Sequence, residues 1–168
     1  MTQVSATNEF IKSLQSEDDL GLVVRAHIHI EHELEQFIKA CLPNQKELGR
    51  MGYSGRVRLA LACGLRPSLK GPLNAIGRLR NDFAHELGTR LVEERINKIY
   101  KTFTKHDRDA AAYAYNNITK QAPAQANRSF AARKARDQFV IYIVTIWAAV
   151  VAETMERRSV QISVPNSN

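Results

Sequence analysis

Fourteen consecutive residues, Phe139 to Ala152 (FVIYIVTIWAAVVA), carry no charge and, wound on a helix, are apolar on nearly every side. A helix of that kind has to be surrounded, so it predicts the central element of a bundle or a helix shared with a partner subunit. It is the longest apolar run in the chain and falls short of the ~20 residues that span a bilayer. The leading residues MTQVSATNEF lack the basic, apolar, small-residue order of a signal peptide. The chain is therefore read as cytoplasmic with no membrane span, and the apolar helix is expected to run from Ser129 to about Arg158.

The rest of the sequence is punctuated as helices. Residues 8 to 15 read as a short helix after Thr7, and Ser16 with Asp19 three residues on resembles a capping box for a longer one. That helix should reach about Leu42, where Pro43-Asn44 stops it. After a loop through Gly49 and Gly52, Ser54 caps a short helix over Arg56 to Cys63, which Gly64 ends. Pro72 suits the first turn of a helix from Leu73 to Leu87 closed by Gly88, and Thr89 starts another to about Phe103. One more covers Asp107 to Lys120, followed by a polar loop over 121 to 127. The only strand-like alternation is Val160, Ile162 and Val164. The expectation is an all-α fold, a single domain over 1–168. It is a bundle of about six to seven helices with one long C-terminal helix, and 1–7 and 159–168 form flexible tails.

Charge is unevenly placed. Residues 1–50 hold five Lys/Arg against eight Asp/Glu, 51–100 hold nine against four, and 101–168 hold ten against five, so the net +7 resides beyond about Arg56. Such a basic surface favours phosphate-rich partners through attraction that does not read sequence. The two cysteines, Cys41 and Cys63, have no CxxC spacing, which points away from a disulfide framework or zinc site and toward small buried hydrophobes.

Placed at helical spacing, Val23, Ile30, Leu34, Phe37, Ile38 and Cys41 form one apolar stripe, with His27 and Glu31 inside it. His29, His32, Glu33 and Glu35 fall at its margin or outside, so the metal-like run His27-x-His29-x-x-His32 is split across faces and makes a poor ligand set. A carboxylate on a core face needs a partner. The next long helix offers one, because Leu73, Ile76, Leu79, Phe83 and Leu87 form its buried face with Arg80 half-buried within their arc. An Arg80–Glu31 pair with His27 nearby is the natural expectation. Asn81 and His85, one turn apart, lie at the edge of the same arc. Such a cluster is equally what a helix-tying ion-pair network would build.

At these residues the chain resembles known families. Leu79-Arg80-Asn81-Asp82-Phe83-Ala84-His85 is similar to the Arg-x4-6-His motif of the HEPN superfamily, and Glu31 would occupy the acidic place on its earlier helix. Over about Arg25 to His85 the chain also looks like the mannitol operon repressor family. That likeness rests on Ile30-Glu31-His32-Glu33-Leu34, the block Arg56 to Leu65, and Leu79-Arg80 followed by His85. The first resemblance implies a metal-independent RNase without cofactors, a homodimer whose Arg and His pairs meet across the subunit interface, often a toxin or defence effector with an antitoxin partner. The second implies a transcriptional regulator acting by DNA or protein contacts without catalysis.

The RNase reading needs few parts, since RNA carries its own nucleophile in the 2′-hydroxyl. His85 would serve as base, Arg80 would hold the phosphate and its growing charge, and Asn81 would donate a hydrogen bond, with His27 and Glu31 in support. Arg56, Arg58, Arg66 and Arg78 would position the RNA backbone. The regulator reading would use the short helix at Arg56, the Gly64 turn and the Leu73 helix as a helix-turn-helix, with Arg78, Asn81, Asp82 and His85 outward. Tyr113 and Tyr115 are candidates for stacking on bases but read first as packing residues.

Overall fold

The computed structural model describes residues 14, 18–42, 51–120 and 134–163, with side chains to 113 and 159 in the last two segments. Six α-helices run through them: α1 (Asp19–Cys41), α2 (Tyr53–Ala62), α3 (Lys70–His85), α4 (Glu93–Tyr100), α5 (Lys105–Lys120) and α6 (Ala135–Ser163), with a 3₁₀ turn at Pro67–Leu69 before α3. No strand occurs among the described residues, and the fold is an all-α bundle with one long C-terminal helix. The expected 8–15 helix (Leu14 apart), the Ser16 cap, the Pro43-Asn44 stop, the 121–127 loop, the Ser129 start and the 1–7 tail lie outside the described residues, as does the end of the chain from Val164.

The apolar run does what its composition demands. Phe139, Ile143, Ile146 and Val150 of α6 are fully buried, and Ile141, Tyr142, Val144 and Trp147 nearly so. The helix packs most extensively along α1, with α4 and α5 against its other sides. Extended by its flanks, Ala135 to Ser159 has the length and hydropathy of a membrane span, but more than half of its most apolar stretch is covered by the bundle. Helix continues to Ser163, so the fraying expected from Ser159 and the strand-like alternation at Val160 and Ile162 are both corrected.

Helix ends follow local chemistry. Asp18 caps α1, its side chain accepting from the Gly21 N–H at 2.7 Å. Gly52 rather than Ser54 opens α2. That helix closes with Gly64 at φ 97°, its N–H bonded to Leu61 O (3.1 Å) and the Leu65 N–H to Ala60 O (2.9 Å). These two bonds satisfy the terminal carbonyls, and a side chain other than glycine would be strained at that φ. Thr104 and Asp107 form a reciprocal cap on α5: Asp107 N–H donates to Thr104 Oγ1, and Thr104 N–H to Asp107 Oδ2, each at 3.2 Å.

Three boundaries move. Helix α3 starts at Lys70 and stops at His85, so Leu87 projects fully into solvent rather than joining the core. Helix α4 begins only at Glu93, after the turn at Gly88. Cys41 and Cys63 are half-buried neighbours, the Cys41 Sγ lying 3.8 Å from the Cys63 carbonyl oxygen, and burial pushes the Cys41 thiol up.

Candidate functional site

Helix α1 presents the stripe that its spacing predicts. Val23, Ile30, Leu34, Phe37 and Ile38 are buried, His27 is 7% exposed, and His32 points to solvent. His27, His29 and His32 do not converge, and among the described residues no three His, Cys, Asp or Glu side chains gather as a metal ligand set. His27 stacks at a tilt on Tyr53 of α2, ring centroids 4.3 Å apart. The Tyr53 hydroxyl donates to the Leu73 carbonyl of α3 at 2.8 Å, so one aromatic side chain ties three helices together. Gly77 makes room for it, since a Cβ there would lie 2.8 Å from the Tyr53 ring.

Glu31 finds an arginine, but not the expected one. Arg56 of α2 donates to Glu31 Oε1 at 2.6 Å and also to the Met51 carbonyl, while His27 Nδ1 stands 3.9 Å from the other carboxylate oxygen. Arg80 is exposed rather than half-buried, and its guanidinium donates to Asn81 Oδ1 at 3.2 Å. The reason is the position of α2: it lies against both α1 and α3, and Arg56 reaches the carboxylate first.

These residues line a cleft of about 520 Å³ bounded by His27, Glu31, Tyr53, Asn74, Arg78, Arg80 and Asn81. Burial lowers the His27 pKa below its ordinary value; Glu31 opposes that shift and the Arg80 charge adds to it. Tyr53 is pushed far above the usual phenol range by burial and by Glu31, so it remains a donor. Neither Arg78 nor Arg80 meets a carboxylate among the described residues. Two positive charges thus line a concavity with no ion pair of their own among the described residues, while its carboxylate, Glu31, is taken by Arg56.

The remaining candidates are dispersed. His85 is exposed and outside the cleft lining. Five positions at 100° per residue set it about 140° around α3 from Arg80, on the ridge of Arg78 and Asn81. Arg66 is tied between Asp107 (3.4 Å) and Glu153 (3.7 Å), joining the α2–α3 connection to α5 and α6. Arg58 is exposed on α2 and absent from the cleft lining. Tyr113 is 70% exposed, so it is not packed as expected, and the Tyr115 side chain lies outside the described residues.

A second concavity of about 450 Å³ lies between α3 and α4, with Arg78 and Asn81 again on its wall. Sequence reasoning missed it, along with Tyr53, Asn74 and Lys98. Tyr53 carried a weak signal, an aromatic at a helix start, with a glycine at Gly77 in the middle of a later helix. No family model, no curated protein and no solved structure matches the chain.

Proposed function

We propose that the protein binds RNA through α3 and cleaves it without a metal, Arg80 and Asn81 holding the scissile phosphate and His85 moving the proton. One observation carries the reading: Arg78 and Arg80 open into a shared cleft with no ion pair of their own among the described residues, its one carboxylate, Glu31, being taken by Arg56, beside Asn81 and the buried His27. A doubly anionic stretch of backbone is the ligand that such a concavity favours, because guanidinium groups hold phosphate oxygens in a fixed fork. The resemblance of Arg80 to His85 to the HEPN motif supports RNA as its source.

Within one chain Arg80 and His85 do not share the cleft, so cleavage requires a second copy. In a two-fold pair the same patch meets itself, and the partner's His85 can face this Arg80. The 2′-hydroxyl, deprotonated by that imidazole, attacks the adjacent phosphorus; the 5′-oxygen leaves with a proton, and a 2′,3′-cyclic phosphate remains on the upstream fragment. Arg80 neutralises the charge that grows on the phosphoryl oxygens.

The test is cleavage of single-stranded RNA in the presence of a chelator by the unmodified protein, by Arg80→Ala, by His85→Ala and by the two variants mixed. Each variant alone is expected to be inactive. The mixture should regain about a quarter of the activity, since half of randomly exchanged pairs are mixed and one of their two sites is whole. Absence of cleavage by the unmodified protein removes the nuclease, and cleavage by either variant alone removes the residue assignment. A duplex DNA shift abolished by Arg78→Ala but not by His85→Ala would instead favour the regulator reading.

A further inference from the structure

The second concavity has a different chemistry from the first. Its floor is aliphatic, made by Ala75 and Leu79 of α3 and Ile99 of α4, which keep 6%, 4% and 1% of their surface exposed. Its rim carries both signs of charge. At one end a single guanidinium, Arg95, is shared between Asp82 at 2.7 Å and Glu86 at 3.2 Å, so the Asp82 carboxylate on the wall is tied down. On the rim Lys98 meets Glu94 at 3.0 Å, both side chains largely in water at 69% and 79% exposure. A pair that exposed is worth little and exchanges readily for a phosphate. Arg78 completes the rim with no carboxylate among the described residues.

A flat apolar group attached to an anion fits such a site, and the anion has a route to it. Arg78 and Asn81 line both concavities, so a chain leaving the Arg80 cleft must cross them to enter the second. Resting on the RNA reading above, we infer that the cleft between α3 and α4 holds one unpaired base of single-stranded RNA, whose neighbouring phosphate is gripped by Arg78. The pocket reads the base as a surface and not by its hydrogen-bonding edge, because its floor offers methyl and methylene groups alone; sequence preference should be weak. A base within a duplex is covered on both faces and cannot enter, so the substrate class is unpaired RNA: a loop, a bulge or an end.

Three ligands of equal length separate the possibilities: a single-stranded RNA, the same strand with every base replaced by an abasic spacer, and the RNA duplex. Binding is measured by fluorescence anisotropy in chelator, with the unmodified protein and with Lys98→Glu, a change at an exposed position. The base-bearing strand should bind roughly tenfold more tightly than the abasic one, the order that covering one base face with aliphatic surface supplies. It should also outcompete the duplex and be weakened by Lys98→Glu. Equal affinity for base-bearing and abasic strands overturns the base pocket while leaving the phosphate cleft of the proposed function standing. Equal affinity for the duplex, or indifference to Lys98→Glu, overturns it too, and failure to bind either strand overturns both readings.

Discussion

An imidazole held between a phenol ring and a carboxylate, 7% exposed, gives the protein a pH signature. The pKa of His27 in the fold is below the ordinary 6.5, chiefly through burial. The unfolded chain therefore takes up a proton more readily than the folded one. The stabilisation is complete above pH 6.5 and is lost as the pH falls from there through the folded value. His29 is shifted in the same direction by its own burial, so it adds to the slope. Urea unfolding midpoints at pH 7.5 and 5.5 should show a smaller acid loss for His27→Phe, which keeps a ring against Tyr53, than for the unmodified protein. Equal losses would place the acid sensitivity elsewhere. At this scale the sequence was legible for faces and illegible for partners. Helical spacing put His27 and Glu31 on the stripe, but which arginine meets Glu31 depends on α2 lying against α1 and α3, and no periodicity encodes that.

Among the elements, the ends of α2 and α5 hold the arrangement that aims α3. Asp107 is the hinge of this: it caps α5 with Thr104 and holds Arg66, which also reaches Glu153 of α6. Thr104→Ala should cost about 1 kcal/mol, the usual loss of a helix cap. Asp107→Ala removes the carboxylate half of the cap, which accepts from the Thr104 N–H and hydroxyl, and leaves Arg66 without its nearer anion, so a loss of about 2 kcal/mol is expected. Chemical unfolding of the two variants checks the order; equal losses would mean that the Arg66 pair contributes nothing. Gly64 marked the end of α2 correctly, whereas α3 stops at His85, three residues before Gly88, although both glycines take positive φ. The starts of α3 and α4 were misjudged for a physical reason. Pro67 begins a 3₁₀ turn that feeds directly into α3, drawing the helix start back to Lys70, and after Gly88 the chain takes no regular structure until Val92, whose backbone is extended, before α4 forms.

For the molecule as a whole, the all-α bundle was legible because one helix too apolar to face water forces its neighbours to surround it, and α1 and α3 carry apolar stripes. The site was legible only in part. Arg80 and Asn81 were named from spacing, Arg78 as a contact to the RNA backbone, and all three line a cleft, whereas the second cleft needs α4 against α3, a contact between segments that no local pattern announces. Charge distribution links both to function: the acidic excess lies in residues 1–50 and the basic excess beyond, where α3 is found. Arg56 and Arg66 belong to that excess yet are spent inside the protein, and Lys98 is paired with Glu94 at the surface, so at the two clefts the cations with no ion pair among the described residues are Arg78 and Arg80.

The most direct test is the salt dependence of single-stranded RNA affinity, measured for the unmodified protein and for the Arg78→Ala/Arg80→Ala double variant. If each guanidinium holds one phosphate, the slope of log affinity against log salt should become shallower by about 1.4, twice the increment for one contact to a single strand. An unchanged slope, with folding intact, would mean that RNA does not sit in this cleft.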